Sequence, residues 1–222
     1  MKHINFYFDF ISPYAYLAFE KLPEALMGQS YSVTYRPILF AALLQHHGQL
    51  GPAEIPPKRD WTYRQVQWLA HSQAIGLDLP ASHPFNPLAL LRLAVACGMG
   101  ERGGAGDGLG ASSRYVTEAI FRFVWQGGAD PCSPVRLADL IALLGPKRDI
   151  SGDEVKAALK SNTGLAISLG LFGVPTFEVD GKLFWGLDAL PMLRDYLAGD
   201  AWFDGPVWQA ASQLPVGIVR PK

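Results

Sequence analysis

The sequence predicts an α/β fold in which a β-α-β half at the N-terminus and a β-β-α half at the C-terminus share one sheet, interrupted by a large all-helical insertion. Three observations carry the prediction. Ile4 to Phe10 is an aromatic and branched run of strand length, followed at once by a helix start at Ser12-Pro13. From Asp60 to about Leu169 the periodicity is helical and no convincing strand occurs. Near the C-terminus the period returns to two, with P-T-F-E-V and K-L-F-W flanking Asp180-Gly181, a two-residue hairpin signal. The boundaries predicted are 1–40 and 165–222 for the sheet-bearing domain and 41–164 for the helical insertion domain.

Taken in order, Asp9 is the only charge in the first strand. Ser12 supplies a capping hydroxyl and Pro13 the first position of a helix through Tyr14 to Met27. This places the Ser12 hydroxyl at the carboxyl end of a strand and the positive end of a helix, where open α/β folds bind ligands and where an anion is stabilised. On these residues alone Ser12 reads first as a plain cap. Tyr31 to Pro37 alternates as a second strand, parallel to the first through a right-handed connection. A short helical run ends near Gly48, and Gln49 to Arg59, with three prolines, reads as an ordered irregular loop.

In the insertion, Asp60 is a cap for a helix with Trp61, Gln65, Trp68 and Leu69 near one face, and Asn86 caps the next helix with proline at its first position. Residues 98 to 110 are too glycine-rich for regular structure and read as a flexible surface connection. A phosphate loop would need a preceding strand and a Gly-Lys-Ser/Thr ending, and neither is present. Helices follow at about Ser112 to Gln126, Ser133 to Leu144 and Ser151 to Leu169. A final helix runs from Leu187 or Asp188 to about Leu197, and the Pro- and Gly-rich tail carries Trp202, Phe203 and Trp208 as packing anchors.

The chain of 222 residues is 49% hydrophobic, enough for a full core. Its 19 Lys and Arg balance 20 Asp and Glu, so no basic field for nucleic acid and no charge directed at a membrane is expected. No eighteen-residue apolar span occurs, and the N-terminal apolar run is broken by Asp9 and Pro13, which predicts a soluble, cytoplasmic protein. Cys97 and Cys132 form no C-x-x-C and lack metal-ligating neighbours, so no metal is expected; inert thiols are. His46, His47, His71 and His83 show no paired spacing with carboxylates and carry no triad or metal expectation.

The stretches F-D-F-I-S-P-Y-A-Y at 8 to 16, P-I-L at residue 38, P-P-K-R at 56 to 59, H-P-F-N at 83 to 86, G-L-F-G-V-P-T-F at 170 to 177 and F-W-G-L-D at 184 to 188 are distinctive in combination. With this element order the chain resembles the DsbA-like branch of the thioredoxin superfamily. More narrowly it resembles the glutathione-dependent 2-hydroxychromene-2-carboxylate isomerases and the related kappa-class glutathione transferases. The resemblance implies a thioredoxin-like sheet domain with glutathione as cofactor. Ser12-Pro13-Tyr14-Ala15 stands where redox thioredoxin folds carry C-x-x-C, so disulfide exchange at this site is ruled out and Ser12 becomes the candidate activator of a bound thiol.

The resemblance also assigns binding positions. Val174-Pro175 takes the place of the cis-proline turn, where the Val174 main chain would pair with the cysteinyl part of glutathione. Asp188 would meet the γ-glutamyl ammonium, Lys58 the glycyl carboxylate, and Gln49 would make an amide contact where the families usually carry Asn. Leu187 precedes the aspartate where a polar residue often stands, and Ala189 follows it where Arg is usual. A small aromatic substrate would lie between Ser12 and the insertion. Tyr14, Tyr16, Trp61, Trp68, Phe85 and Phe172 are candidates for its apolar slot, with more than half of them expected in plain core. The function implied is glutathione-dependent isomerisation of an unsaturated aromatic keto acid, as an enzyme of aromatic compound catabolism. The alternatives are a kappa-like transferase that conjugates electrophiles and a non-catalytic thiol-peptide-binding protein. A homodimer through the helical lobe is the family expectation.

Overall fold

The computed structural model describes residues 1–99 and 110–218. The chain begins with β1 (Lys2–Phe8), α1 (Pro13–Ala25) and β2 (Tyr31–Pro37), the two strands parallel and paired from Lys2 with Tyr31 to Phe8 with Pro37. It ends with β3 (Thr176–Val179) and β4 (Lys182–Trp185), β3 lying antiparallel to β1 and β4 antiparallel to β3. The sheet order is therefore β2-β1-β3-β4, and strands from the two ends of the chain meet at its centre.

The hairpin between β3 and β4 turns at Asp180 and Gly181, both at positive φ, as the Asp-Gly pair requires. Asp180 holds this conformation with its side chain bonded to Tyr196 Oη at 2.9 Å and to Lys2 Nζ at 3.0 Å. Under the sheet, Phe6 stacks on Phe177 at 4.7 Å, and Phe8 and Phe10 run on to Phe121 of the insertion. One continuous core thus joins the sheet to the helices. Trp125 Nε1 donates to the Phe10 carbonyl at 2.9 Å, so even the buried indole N–H has a partner.

Between β2 and β3 run α2 (Phe40–His47), a short 3-10 turn (Pro52–Glu54), α3 (Pro56–Ser72), α4 (Leu88–Gly98), α5 (Arg114–Trp125), α6 (Pro134–Leu144) and α7 (Asp153–Ser168). Ser113 and Ser133 cap α5 and α6 through their hydroxyls. The α7 helix ties back to the corner between β2 and α2. Asn162 Nδ2 donates to the Pro37 carbonyl at 3.3 Å, and Thr163 Oγ1 accepts from Leu39 N at 3.1 Å. The segment after β4 forms a 3-10 turn (Leu187–Ala189) and α8 (Leu190–Leu197).

Several expectations are corrected. The proline-rich loop is shorter than expected: α3 starts at Pro56, because Ile55 is extended and two prolines fit a first turn whose N–H groups need no partner. Asp60 is thus inside the helix and does not cap it. The face that α3 buries is Thr62, Val66 and Ala70, while Trp61 and Trp68 are exposed. The first strand starts two residues earlier and leaves Asp9 just beyond its end. Asn86 does accept from Leu88 N at 3.1 Å, but Pro87 occupies the cap position. The tail is more regular than its composition suggests, with a 3-10 turn at Ala201–Asp204 and α9 (Pro206–Ala211). Phe203 is buried against Tyr196 and Trp208, while Trp202 packs on the outside. The flexible connection expected over 98 to 110 lies, apart from its ends, outside the described residues.

Candidate active site

The site grows from the end of β1. After Phe8 the chain turns through Asp9 and Phe10, with Ser12 N donating to the Asp9 carbonyl at 3.1 Å, and α1 begins. Ser12 is its N-cap: Oγ accepts from Ala15 N at 3.2 Å, and the hydroxyl reaches the Val174 carbonyl at 3.5 Å. Tyr16 N is taken by the Ser12 carbonyl and Pro13 has no N–H. Tyr14 N–H is the donor of the first turn left over for an anion at the helix start.

Opposite Ser12 lies Val174-Pro175, whose peptide bond is cis. The turn is fixed on both flanks, by Thr176 Oγ1 donating to the Gly173 carbonyl at 2.8 Å and Gly186 N donating to the Pro175 carbonyl at 2.9 Å. Two glycines permit the close packing here. A Cβ on Gly173 would collide with the Trp185 indole, and one on Gly186, at φ 100°, with the Asp188 carboxylate.

Two adjoining cavities open on either side of this turn. The larger, about 910 Å³, holds Ser12, Gln49 and Lys58 with a wall of Trp61, Phe85, Phe172 and Trp185. The second, about 750 Å³, holds Pro175, Leu187 and Asp188. Tyr14, Gln65, Val174 and Trp185 line both, so the two form one cleft. All seven residues singled out from the sequence therefore face this cleft: four around Ser12 and the rest beyond Val174. The aromatic candidates divide differently from expectation. Tyr14, Trp61, Phe85 and Phe172 line the slot, Tyr16 is core, and Trp68 is on the surface away from it. The aromatic wall is firm where Phe172 and Trp185 pack at 4.8 Å.

Four further residues had no assignment. Gln65 accepts from Tyr14 Oη at 2.6 Å and bridges α3 to α1 across the floor. Trp185 separates the two cavities. His83 presents Nε2 to the Ile11 carbonyl at 2.8 Å and Nδ1 to Tyr63 Oη at 2.8 Å. A carbonyl only accepts, so Nε2 carries the proton. The Tyr63 hydroxyl lies within reach of Nδ1 and, at 3.0 Å, of the His83 carbonyl, and its one hydrogen is shared between them. Burial lowers the imidazole pKa from its ordinary value. The ring is a neutral brace behind the Ser12 turn. Asp9 is fully buried, its Oδ1 accepting from Ile11 N at 3.1 Å and Oδ2 from Phe40 N at 2.9 Å, and it too lines the larger cavity. Burial raises its pKa to about 7 against the pull of those N–H groups. A lone charge in an apolar strand was the one sequence signal for it.

The donor set suits a thiol peptide such as glutathione. An acid and an amine stand on opposite sides of a main-chain turn, complementary to an ammonium and a carboxylate at the two ends of an extended ligand, and the glycines let Trp185 and Asp188 pack against that turn. Among the described residues no group of three or more His, Cys, Asp and Glu could hold a metal, and no helix is long and apolar enough to cross a membrane.

A parallel β-α-β unit joined to an antiparallel hairpin through a helix start facing a cis-proline defines a thioredoxin-type fold with its redox pair replaced by Ser12 and Ala15. The family model described as a DSBA-like thioredoxin domain matches residues 3–198, and the chain belongs to that family. Within it the chain is 30% identical over 204 residues to the 2-hydroxychromene-2-carboxylate isomerase of Sphingobium xenophagum, covering 88% of this chain and 98% of that relative. It is 24% identical over 221 residues to glutathione S-transferase kappa 1 of Rattus norvegicus, covering 92% and 93%. A solved structure of 2-hydroxychromene-2-carboxylate isomerase superposes with a TM-score of 0.73 at 24% identity, over 96% of this chain and 100% of that one, and shares the fold. The chain belongs to the branch formed by these isomerases and the kappa-class transferases, and the isomerase relatives support an isomerase activity.

Proposed function

We propose that the protein is a glutathione-dependent isomerase of an unsaturated aromatic keto acid, of the 2-hydroxychromene-2-carboxylate type, acting in aromatic catabolism. The observation that carries this is the Ser12 hydroxyl at a helix start, opposite the Val174-Pro175 turn and at the mouth of an aromatic-walled cavity. Bound glutathione would supply a thiolate able to add reversibly to a conjugated double bond, which lowers the barrier to rotation about that bond and leaves the thiol unchanged.

The chain's residues supply the rest. Ser12 turns its hydroxyl from Val174 to the sulfur, and Tyr14 N–H with the α1 dipole adds to the stabilisation, lowering a thiol pKa from its usual value of roughly 8.5. Val174 offers its main chain to the cysteinyl unit. Lys58 takes the glycyl carboxylate, Asp188 the γ-glutamyl ammonium, and Leu187 and Gln49 border these ends. Trp61, Phe85 and Phe172 hold the planar substrate and keep water from the reacting carbon.

A conjugating transferase is the second reading, favoured by the kappa-class relatives and by a cavity larger than one ring requires. Product analysis of the unaltered protein separates the two enzymes: substrate interconverted with the thiol recovered supports the isomerase, and a stable thioether supports the transferase. Ser12→Ala should cost turnover heavily in both and leave simple binding nearly unchanged. Glutathione-binding without turnover in the unaltered protein leaves a binding protein.

A further inference from the structure

Asp9 is a buried acid that the reading above leaves unused. Its carboxyl closes the turn leading to Ser12: Oδ1 accepts from Ile11 N, the Asp9 carbonyl accepts from Ser12 N, and Oδ2 reaches across to Phe40 N at the start of α2. It lines the same cavity as Ser12. The other titratable groups of that cavity are Tyr14 from α1, Glu54 from the 3-10 turn, Lys58 from α3 and His83 from the loop before α4. Glu54 accepts from Gly51 N, His83 is held neutral between Ile11 and Tyr63, and burial pushes the Tyr14 phenol up. Among the described residues, α2 and residues 172–174 present only apolar side chains and main chain to it.

Asp9 and Ser12 are both buried, so two negative charges there are little screened, and a thiolate at Ser12 and an ionised Asp9 exclude one another. We propose that Asp9 is the proton store of the site: its carboxylate takes up the proton given up by a thiol held at Ser12 and returns it when the thiol leaves. The step balances, since the S–H bond that breaks is matched by the carboxyl O–H bond that forms, with no other reactant. Asp9 does not touch the ligand and acts through charge. The consequence is that about half of the thiol's proton reaches solvent at pH 7 and little of it at pH 8. This inference rests on the glutathione reading.

The test is calorimetric titration of the protein with glutathione in buffers of different ionisation enthalpy, which counts protons released, alongside ultraviolet difference absorbance, which counts thiolate formed. With the Asp9 carboxyl half-ionised at about pH 7, the release per thiolate should fall from roughly 0.9 at pH 6 to near zero at pH 8. In Asp9→Asn it should stay above roughly 0.7 throughout that range. The titration of the unaltered protein stands by itself should the variant not fold. A release near one at every pH, with thiolate clearly formed, overturns the proton store while leaving glutathione binding intact. Absence of any thiolate or binding heat overturns the glutathione reading and this inference with it.

Discussion

Asp9→Asn also makes a prediction about stability that needs no ligand. Because burial raises the folded-state pKa from 3.8 to about 7, the folded protein prefers the protonated acid. The contribution is fully present below about pH 4 and is lost as the pH rises through about 7, the loss at neutrality being about 4 kcal/mol. Asparagine cannot ionise, so this loss disappears. It has one acceptor oxygen for the two N–H groups of Ile11 and Phe40, which costs about 1–2 kcal/mol at every pH. Urea unfolding at a series of pH values should therefore show the variant less stable in acid, crossing the parent near about pH 5 and more stable at neutrality. Two stability curves that run parallel across this range would refute the raised pKa of the buried Asp9 carboxyl.

Other substitutions probe the rest of the site. Ser12→Ala should lose the cap bond to Ala15 N, about 1 kcal/mol of stability by thermal unfolding, and lower glutathione-dependent turnover by about 10²-fold in steady-state assays. Lys58→Ala and Asp188→Ala should each raise the KM for glutathione about tenfold, roughly 1.4 kcal/mol, with kcat largely kept. His83→Phe frees the Ile11 carbonyl and should lower kcat more than it raises KM. As burial holds the imidazole below its ordinary pKa, the parent's rate profile should show no His83 inflection near 6.5.

The frame of the fold was legible because its signals are local. Ser12-Pro13 and Asp180-Gly181 each dictate a turn from two neighbouring residues, and the strands they bound have clear period-two or apolar patterns. The face of α3 was not, because the sequence offered two large aromatics as the buried stripe and the fold buries Thr62, Val66 and Ala70. Trp61 is retained for the cavity wall instead. The seven candidate site residues rest on motif resemblance, and what the structure adds is that all of them line the cleft. The role of His83 is not legible in the sequence because its partner Ile11 lies 72 residues away, and for Asp9, local to the Ser12 turn through Ile11 N, the sequence does not show the second bond to Phe40, 31 residues on. Only the fold brings His83 and Phe40 to the Ser12 turn.

The most direct test of the account is to follow the ultraviolet absorbance of 2-hydroxychromene-2-carboxylate with the purified protein, with and without glutathione, and to recover the thiol afterwards. Interconversion with the trans-o-hydroxybenzylidenepyruvate type of product is expected only when glutathione is present, with the thiol recovered unchanged. Full turnover in its absence would contradict glutathione-dependent isomerisation.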